Sequence, residues 1–92
     1  MIDATQVLAE ARETMLKRSA ERDLDSERAM ARTVAMFNAN NPQQLTEAQG
    51  WQFMVFLKLA RGSQGAFRLD DYVDAASYCA LLAECLSKPI EE

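Results

Sequence analysis

The sequence predicts an all-α, four-helix bundle-like domain, on three observations. Good helix formers such as Ala, Leu, Glu, Arg, Met and Gln dominate its 92 residues. Three Gly and two Pro leave little material for the turns of a many-stranded sheet. Four segments with helical spacing of apolar residues are separated by short polar connections. Because a chain of this length supports one domain with a thin core, we expect residues 1–92 to form a single helical domain.

The first helix is predicted over about residues 3–19, and the second over about 25–40. Asp3 can cap the first helix, and Gln6 stands where a capping box needs it. The apolar stripe of this helix has 3.6-residue spacing and consists of Ala4, Leu8, Ala11 and Met15. The second helix ends before Pro42, which disfavours helical geometry in the preceding residue. We expect its buried side to carry Met30, Val34 and Phe37.

The third helix is predicted over about residues 46–61, with Thr46 and Gln49 in the spacing of a capping box. Its body, WQFMVFLKLAR, is apolar nearly all round, which is typical of a helix buried on most sides. Three short amphipathic partners cannot cover such a helix in a monomer. We therefore expect a homodimer or a higher homo-oligomer with the third helix, or the third and fourth helices together, at the seam. The alternative is a monomeric bundle with a few exposed apolar residues.

The fourth helix is predicted over about residues 70–88, after a loop that contains two glycines and before Pro89. Cys79 and Cys85 lie six residues apart on it, so their side chains point to different faces and cannot form a disulfide. We interpret both as small buried hydrophobic residues.

The composition excludes several classes of function. A formal net charge of −4 argues against a nucleic-acid partner, because binding phosphates needs a basic face. No stretch approaches the roughly 18 apolar residues of a membrane span, so we expect no membrane partner and a cytoplasmic location. The chain has no His and no CxxC, which excludes the usual zinc sites and His-activated nucleophiles. We expect no cofactor, unless Mg²⁺ is held by carboxylates.

Three carboxylates near the start of the fourth helix are the main candidates for a site. Asp71 and Asp74, or Asp70 and Asp74, project from one helix face and could share a divalent cation. Alternatively, Asp70 is the N-cap and Asp71 lies in the first turn, where the helix dipole favours acids. Lys58 and Arg61 end the third helix and would approach these acids across an antiparallel helix pair. An ion-pair network is favoured over a ligand or metal site and over simple solvation.

The last two helices contain one distinctive pattern. An apolar helix ends in Lys58-x-x-Arg61, and a short loop leads to Asp70-x-x-x-Asp74-x-x-x-Tyr78. This pattern resembles that of a group of small phage and prophage proteins of unknown function. The resemblance implies an all-α fold and a phage or prophage protein in the cytoplasm of a bacterial host cell.

That group is in turn similar to the all-α nucleotide pyrophosphohydrolases of the MazG type. Their helix pair holds magnesium through Glu-x-x-Glu on one helix and Glu-x-x-Asp on the next. Asp71-x-x-Asp74 matches the second motif, whereas the first is represented only by Glu47, with Gly50 where its second acid would stand. The resemblance implies Asp71, Asp74 and Glu47 as metal ligands, but two or three acids are few for a magnesium–triphosphate site.

We favour a phage- or prophage-type helical accessory protein that lacks a complete catalytic site and binds itself or a host protein. The first alternative is a divergent Mg²⁺-dependent nucleotide pyrophosphohydrolase, helped by Glu47 or by an acid from a neighbouring subunit. The second is a nucleotide-binding protein without turnover, in which Lys58 and Arg61 contact phosphate.

Overall fold

A computed structural model describes residues 1–22 and 25–88, with side chains at 1–18 and 29–88. The described residues form four helices and no strand, which confirms the all-α prediction. The helices are α1 (Ala4–Arg22), α2 (Asp25–Asn40), α3 (Glu47–Gly62) and α4 (Leu69–Ser87). The bounds of α2 agree with the prediction, those of α3 and α4 shift by one residue, and α1 continues three residues further.

Two capping boxes start helices where the sequence predicts them. The Asp3 carboxylate accepts a bond from the Gln6 amide at 3.0 Å, and the Asp3 amide donates to the Gln6 side chain at 2.9 Å. Thr46 and Gln49 make the same reciprocal pair at the start of α3. A hydrogen bond from the Thr5 hydroxyl, and then that from the Gln6 amide, lower the pKa of Asp3 from its usual 3.8.

The start of α4 differs from the prediction. Arg68 holds the N-cap position with extended backbone and no capping side chain. Its carbonyl already accepts the amide of Asp71 at 3.2 Å, so the helix begins at Leu69. The interpretation of Asp70 as the N-cap is therefore wrong: Asp70 and Asp71 both lie inside the first helical turn. Acids there still interact favourably with the helix dipole.

α3 and α4 form an antiparallel pair at the centre of the molecule, and the other two helices pack on this pair. The rings of Trp51 and Tyr78 stack with their centroids 5.9 Å apart. At the loop end of the pair, the Tyr72 hydroxyl donates to the carbonyl of Gly62 at 3.3 Å. Among the described residues α1 packs mainly against α4, and α2 packs mainly against α3.

The core is thin. Met30, Val34 and Trp51 form its main cluster, and the described part of the chain holds no large side chain that is completely enclosed. Gly50 lets α2 approach α3 closely. A Cβ at this position would lie 2.9 Å from a methyl carbon of Val34, and closer still to the sulfur of Met30.

Several apolar residues predicted to be buried are exposed. α3 buries only Gly50, Trp51 and Val55, because α4 and α2 cover one side of it. A single chain therefore leaves much of this helix uncovered, as its apolar sequence predicts for a monomer, and its burial by a second copy stays a prediction. In the predicted stripe of α1 only Ala11 is buried, and Phe37 of α2 is partly exposed. The exposed apolar residues also include Leu8, Phe53, Phe56, Leu57, Leu59 and Cys79.

The molecule is elongated and exposes a large surface for its mass. Its Cα radius of gyration is 14.6 Å, against about 12 Å for a compact domain of this length. Its accessible surface is 7225 Å², whereas the scaling for folded monomers gives about 5,400 Å² at 10.3 kDa. The fold thus leaves roughly a third more surface uncovered than a compact monomer would.

Candidate functional site

The candidate site lies where the end of α3, the start of α4 and the C-terminal half of α1 meet. It contains the carboxylates of Asp71 and Asp74 and the cations of Arg18, Lys58 and Arg61. We call these five residues the ion-pair cluster. α3 and α4 are antiparallel and joined by a short loop, so the last turns of α3 face the first turns of α4. This arrangement brings Lys58 and Arg61 to the acids, as their spacing in the sequence indicates.

Asp74 is held between two helices by both of its oxygens. One oxygen lies 3.1 Å from the ammonium of Lys58 on α3, and the other lies 3.7 Å from the guanidinium of Arg18 on α1. The side chains of Lys58 and Asp74 are only 14% and 17% exposed. Screening by water is therefore weaker for this pair than for a surface pair.

Asp71 makes a looser pair at the rim of the cluster. Its carboxylate lies 3.8 Å from the Nε of Arg61, and its side chain is 8% exposed, whereas that of Arg61 is 55% exposed. A buried carboxylate with a half-exposed guanidinium keeps its charge compensated while the cation stays in contact with water. Arg61 is thus the more accessible of the two cations contributed by α3.

Two predicted site residues do not join the cluster. Asp70 is exposed in the first turn of α4 and makes no ion pair with the side chains that the structure describes. Glu47 stands at the opposite end of α3, eleven residues before Lys58, so a rise of 1.5 Å per residue separates them by about 16 Å along the helix. Within one chain, the acids suggested as metal ligands are thus not all brought together.

Both carboxylates of the ion-pair cluster are paired with cations. Three cations face two carboxylates, which gives a net charge of +1 for the five side chains. Among the described residues no group of three or more acidic, Cys or His side chains lies close enough together to hold a metal ion. Ser77 is buried, and its hydroxyl donates to the carbonyl of Val73 at 3.0 Å.

Sequence reasoning did not find Arg18. Its spacing in the sequence could have indicated it. Arg18 stands three residues after Met15 and seven after Ala11, so it places a cation on the apolar stripe of α1. A cation at such a position is expected to find an acid on the helix it packs against. The acid it meets is Asp74, which lies beyond the first turn of α4.

A shallow apolar groove of about 340 Å³ lies between α1 and α4. Its lining includes the small residues Ala11 and Ala76 and the larger side chains of Leu8 and Leu16. Arg12 is the charged residue that lines it. The groove therefore offers apolar contact but few polar groups to orient a nucleotide.

A family model described as a domain of unknown function (DUF6378) matches residues 6–86. The chain belongs to this family. The matched part begins in α1 and ends in α4, so the DUF6378 domain includes all five residues of the ion-pair cluster. The prediction of a family of unknown function is confirmed at this level, while the phage and MazG relationships stay predictions. No curated protein and no solved structure matches the chain.

In the described part of this DUF6378 chain, no helix combines the length and the apolar character that a bilayer span requires.

Proposed function

We propose that this DUF6378 protein is a non-catalytic helical interaction protein, in which the ion-pair cluster is a structural clamp between helices. The observation that carries the proposal is the pairing of Asp74. Both of its carboxylate oxygens face cations, Lys58 at 3.1 Å and Arg18 at 3.7 Å. A catalytic magnesium site needs carboxylate oxygens that are free to bind the metal.

Replacing a protein cation by magnesium would be costly in this cluster. The ammonium of Lys58 is mostly buried, so it would remain beside the new charge without its carboxylate. A buried charge that loses its partner is strongly destabilising. The clamp role requires no such exchange, because both carboxylates of the cluster already have cation partners.

We further propose a phage or prophage setting for this function. The sequence resemblance supports a phage or prophage protein in the cytoplasm of a bacterial host, where its partner is a second copy or a host protein. The exposed apolar side chains of α3 support an interaction role, because large exposed apolar patches mark interaction surfaces.

One observation favours a second candidate, binding of a nucleotide without turnover. Arg18 and Arg61 are both about half exposed, and the cluster has one more cation than it has carboxylates. A phosphate could reach these guanidinium groups from solvent and form charge-assisted hydrogen bonds. The divergent pyrophosphohydrolase is a further alternative, and it would need Asp71 and Asp74 free of their cations, with an acid from a neighbouring subunit.

Thermal melting and a turnover assay separate these functions. For the clamp, we expect 10 mM MgCl₂ to change the melting temperature by no more than NaCl of equal ionic strength does, and no pyrophosphate release from a panel of nucleoside triphosphates. A site with a Kd of about 0.1 mM would instead add about 2.7 kcal/mol at this concentration, which is several degrees. Asp74→Asn should lower the melting temperature equally with and without magnesium.

Three outcomes would contradict the proposal. Pyrophosphate release that disappears in Asp74→Asn would support the enzyme. A magnesium-specific rise in melting temperature that disappears in the same variant would support a metal site. A rise caused by a nucleotide alone, and abolished by Arg61→Met, would support the nucleotide-binding candidate.

A further inference from the structure

The solvent-facing side of α3 is apolar over two helical turns. Phe53 is 65% exposed and Phe56 is 58% exposed, and Leu57 and Ala60 are exposed beside them. These residues stand at positions i, i+3, i+4 and i+7, the spacing that aligns side chains along one stripe of a helix. We call these four residues the α3 apolar face. A single chain thus leaves uncovered a stripe of the kind that helices normally bury.

No charged side chain interrupts the α3 apolar face. Lys58 is the one charged residue between Gln49 and Ala60, and it turns inward to pair with Asp74. The polar residues exposed along this side of the helix are uncharged, as Gln49 and Gln52 illustrate. In a chain with 26% charged residues, this bare stretch has the character of an interface core, where charge is depleted and aromatic residues are enriched.

We infer that the α3 apolar face binds the same face of a second copy of this chain. The inference rests on the proposed function as an interaction protein and names the partner of that surface. Each copy has a net charge of −4, so two copies repel each other over most of their surfaces. An uncharged face is where they can meet without placing like charges in contact, and it offers a charged partner nothing to recognise.

The whole chain exposes more surface than a compact protein of its mass, and the excess is larger than a standard interface covers. The accessible surface of 7225 Å² exceeds the roughly 5,400 Å² expected for this mass by roughly 1,800 Å². A standard interface covers only about 800 Å² on each partner. A second copy on α3 would therefore bring the surface of each chain closer to that of a compact protein.

The pattern of side chains fits a two-fold pair of antiparallel α3 helices. In such a pair, a contact from one residue to another occurs twice. With the axis between positions 56 and 57, Phe53 lies opposite Ala60 of the partner subunit, and Phe56 lies opposite Leu57 of the partner subunit. A large side chain then meets a small one at each end of the α3 apolar face, which lets the helices interdigitate.

Sedimentation velocity of the full chain tests this inference. We expect the wild type to sediment as a dimer at about 100 µM, well above the Kd of a micromolar pair. Phe53→Glu and Phe56→Glu should be mostly monomeric, with Kd raised about a thousandfold, because each buries an unpaired charge twice in the interface. Met36→Glu and Leu86→Glu are matched controls, since Met36 is 70% exposed and Leu86 is 69% exposed on other helices. Both controls should remain dimeric, and circular dichroism should show all four variants helical.

A wild type that is monomeric at this concentration would overturn the inference. So would a dimer that survives both phenylalanine substitutions, or one that is lost equally in the two controls. The proposed function fails separately: a dimer that releases pyrophosphate contradicts the non-catalytic role alone, whereas an inactive monomer contradicts the self-pairing alone.

Discussion

Asp74 is the residue at which three helices of the protein converge. It belongs to α4, and its two oxygens contact Lys58 of α3 and Arg18 of α1. Of these contacts the one with Lys58 is the shorter and the less exposed, so it should carry most of the coupling between α3 and α4. Arg18 is about half exposed, and a pair of that kind contributes at most about 1 kcal/mol.

The Asp74–Lys58 contact can be measured with a double-mutant cycle. Asp74→Asn and Lys58→Met should each lower the free energy of unfolding by about 2 kcal/mol, because each leaves a mostly buried charge without its partner. The double variant should lose less than the sum of the two, with a coupling energy of about 1–2 kcal/mol in urea unfolding. Asp70→Asn is the control, since Asp70 is exposed, and it should change stability by less than about 0.5 kcal/mol. Additive losses in the double variant would show that the two groups do not interact.

The sequence alone predicts some of the contacts in the ion-pair cluster. Lys58 and Arg61 could be assigned to the acids of α4, because a short loop between two helices brings adjacent ends together. Arg18 could not, since its contact with Asp74 joins positions 56 residues apart, and their separation along the chain carries no information on the packing of α1. The start of α4 also depends on backbone geometry at Arg68, which no side-chain capping pattern marks.

The crossing of α2 over α3 depends on the absence of a side chain at Gly50. A Cβ there would lie 2.9 Å from the stiff, branched side chain of Val34 and would also crowd the flexible side chain of Met30. Gly50 therefore serves the close packing of α2 on α3, although glycine is a poor helix former.

The sign of the stability change caused by Gly50→Ala therefore shows whether helix propensity or close packing dominates at this position. Helix propensity alone predicts a gain of about 1 kcal/mol in the free energy of unfolding. We expect instead a net loss of about 1–2 kcal/mol, because overpacking forces α2 away from α3. Combination with Val34→Ala should cost less than the sum of the two single changes, because it makes room for the new methyl group. A stabilised Gly50→Ala variant would contradict the close approach of the two helices.

The sequence predicts the positions of the helices well. It predicts less well which of their side chains are buried. The capping boxes at Asp3 and Thr46 are local patterns that involve residues three apart, so they need no knowledge of the fold. The exposure of Leu8 and Phe37 depends on which neighbours cover each helix, and apolar spacing gives only the side that could be buried. The same limit applies to Cys79, which is exposed although the sequence predicts it to be a small buried hydrophobic residue.

The whole molecule is two helices packed on a central pair, with a large accessible surface and a thin core. A small domain with little buried area has marginal stability unless something else adds to it. The apolar excess of the third helix, visible in the sequence, corresponds here to the α3 apolar face. Sequence reasoning could identify that excess, but which residues remain exposed depends on where α2 and α4 pack.

The central claim is that this fold acts through interaction and is completed by a second copy on α3. The most direct test is the melting temperature of the wild type at increasing chain concentration, followed by circular dichroism. If folding and pairing are coupled, each tenfold rise in concentration should raise the melting temperature by about 4 °C, as expected for a dimer of 184 residues. Phe53→Glu should melt at one temperature throughout. A wild-type melting temperature that does not change over two decades of concentration would contradict the account.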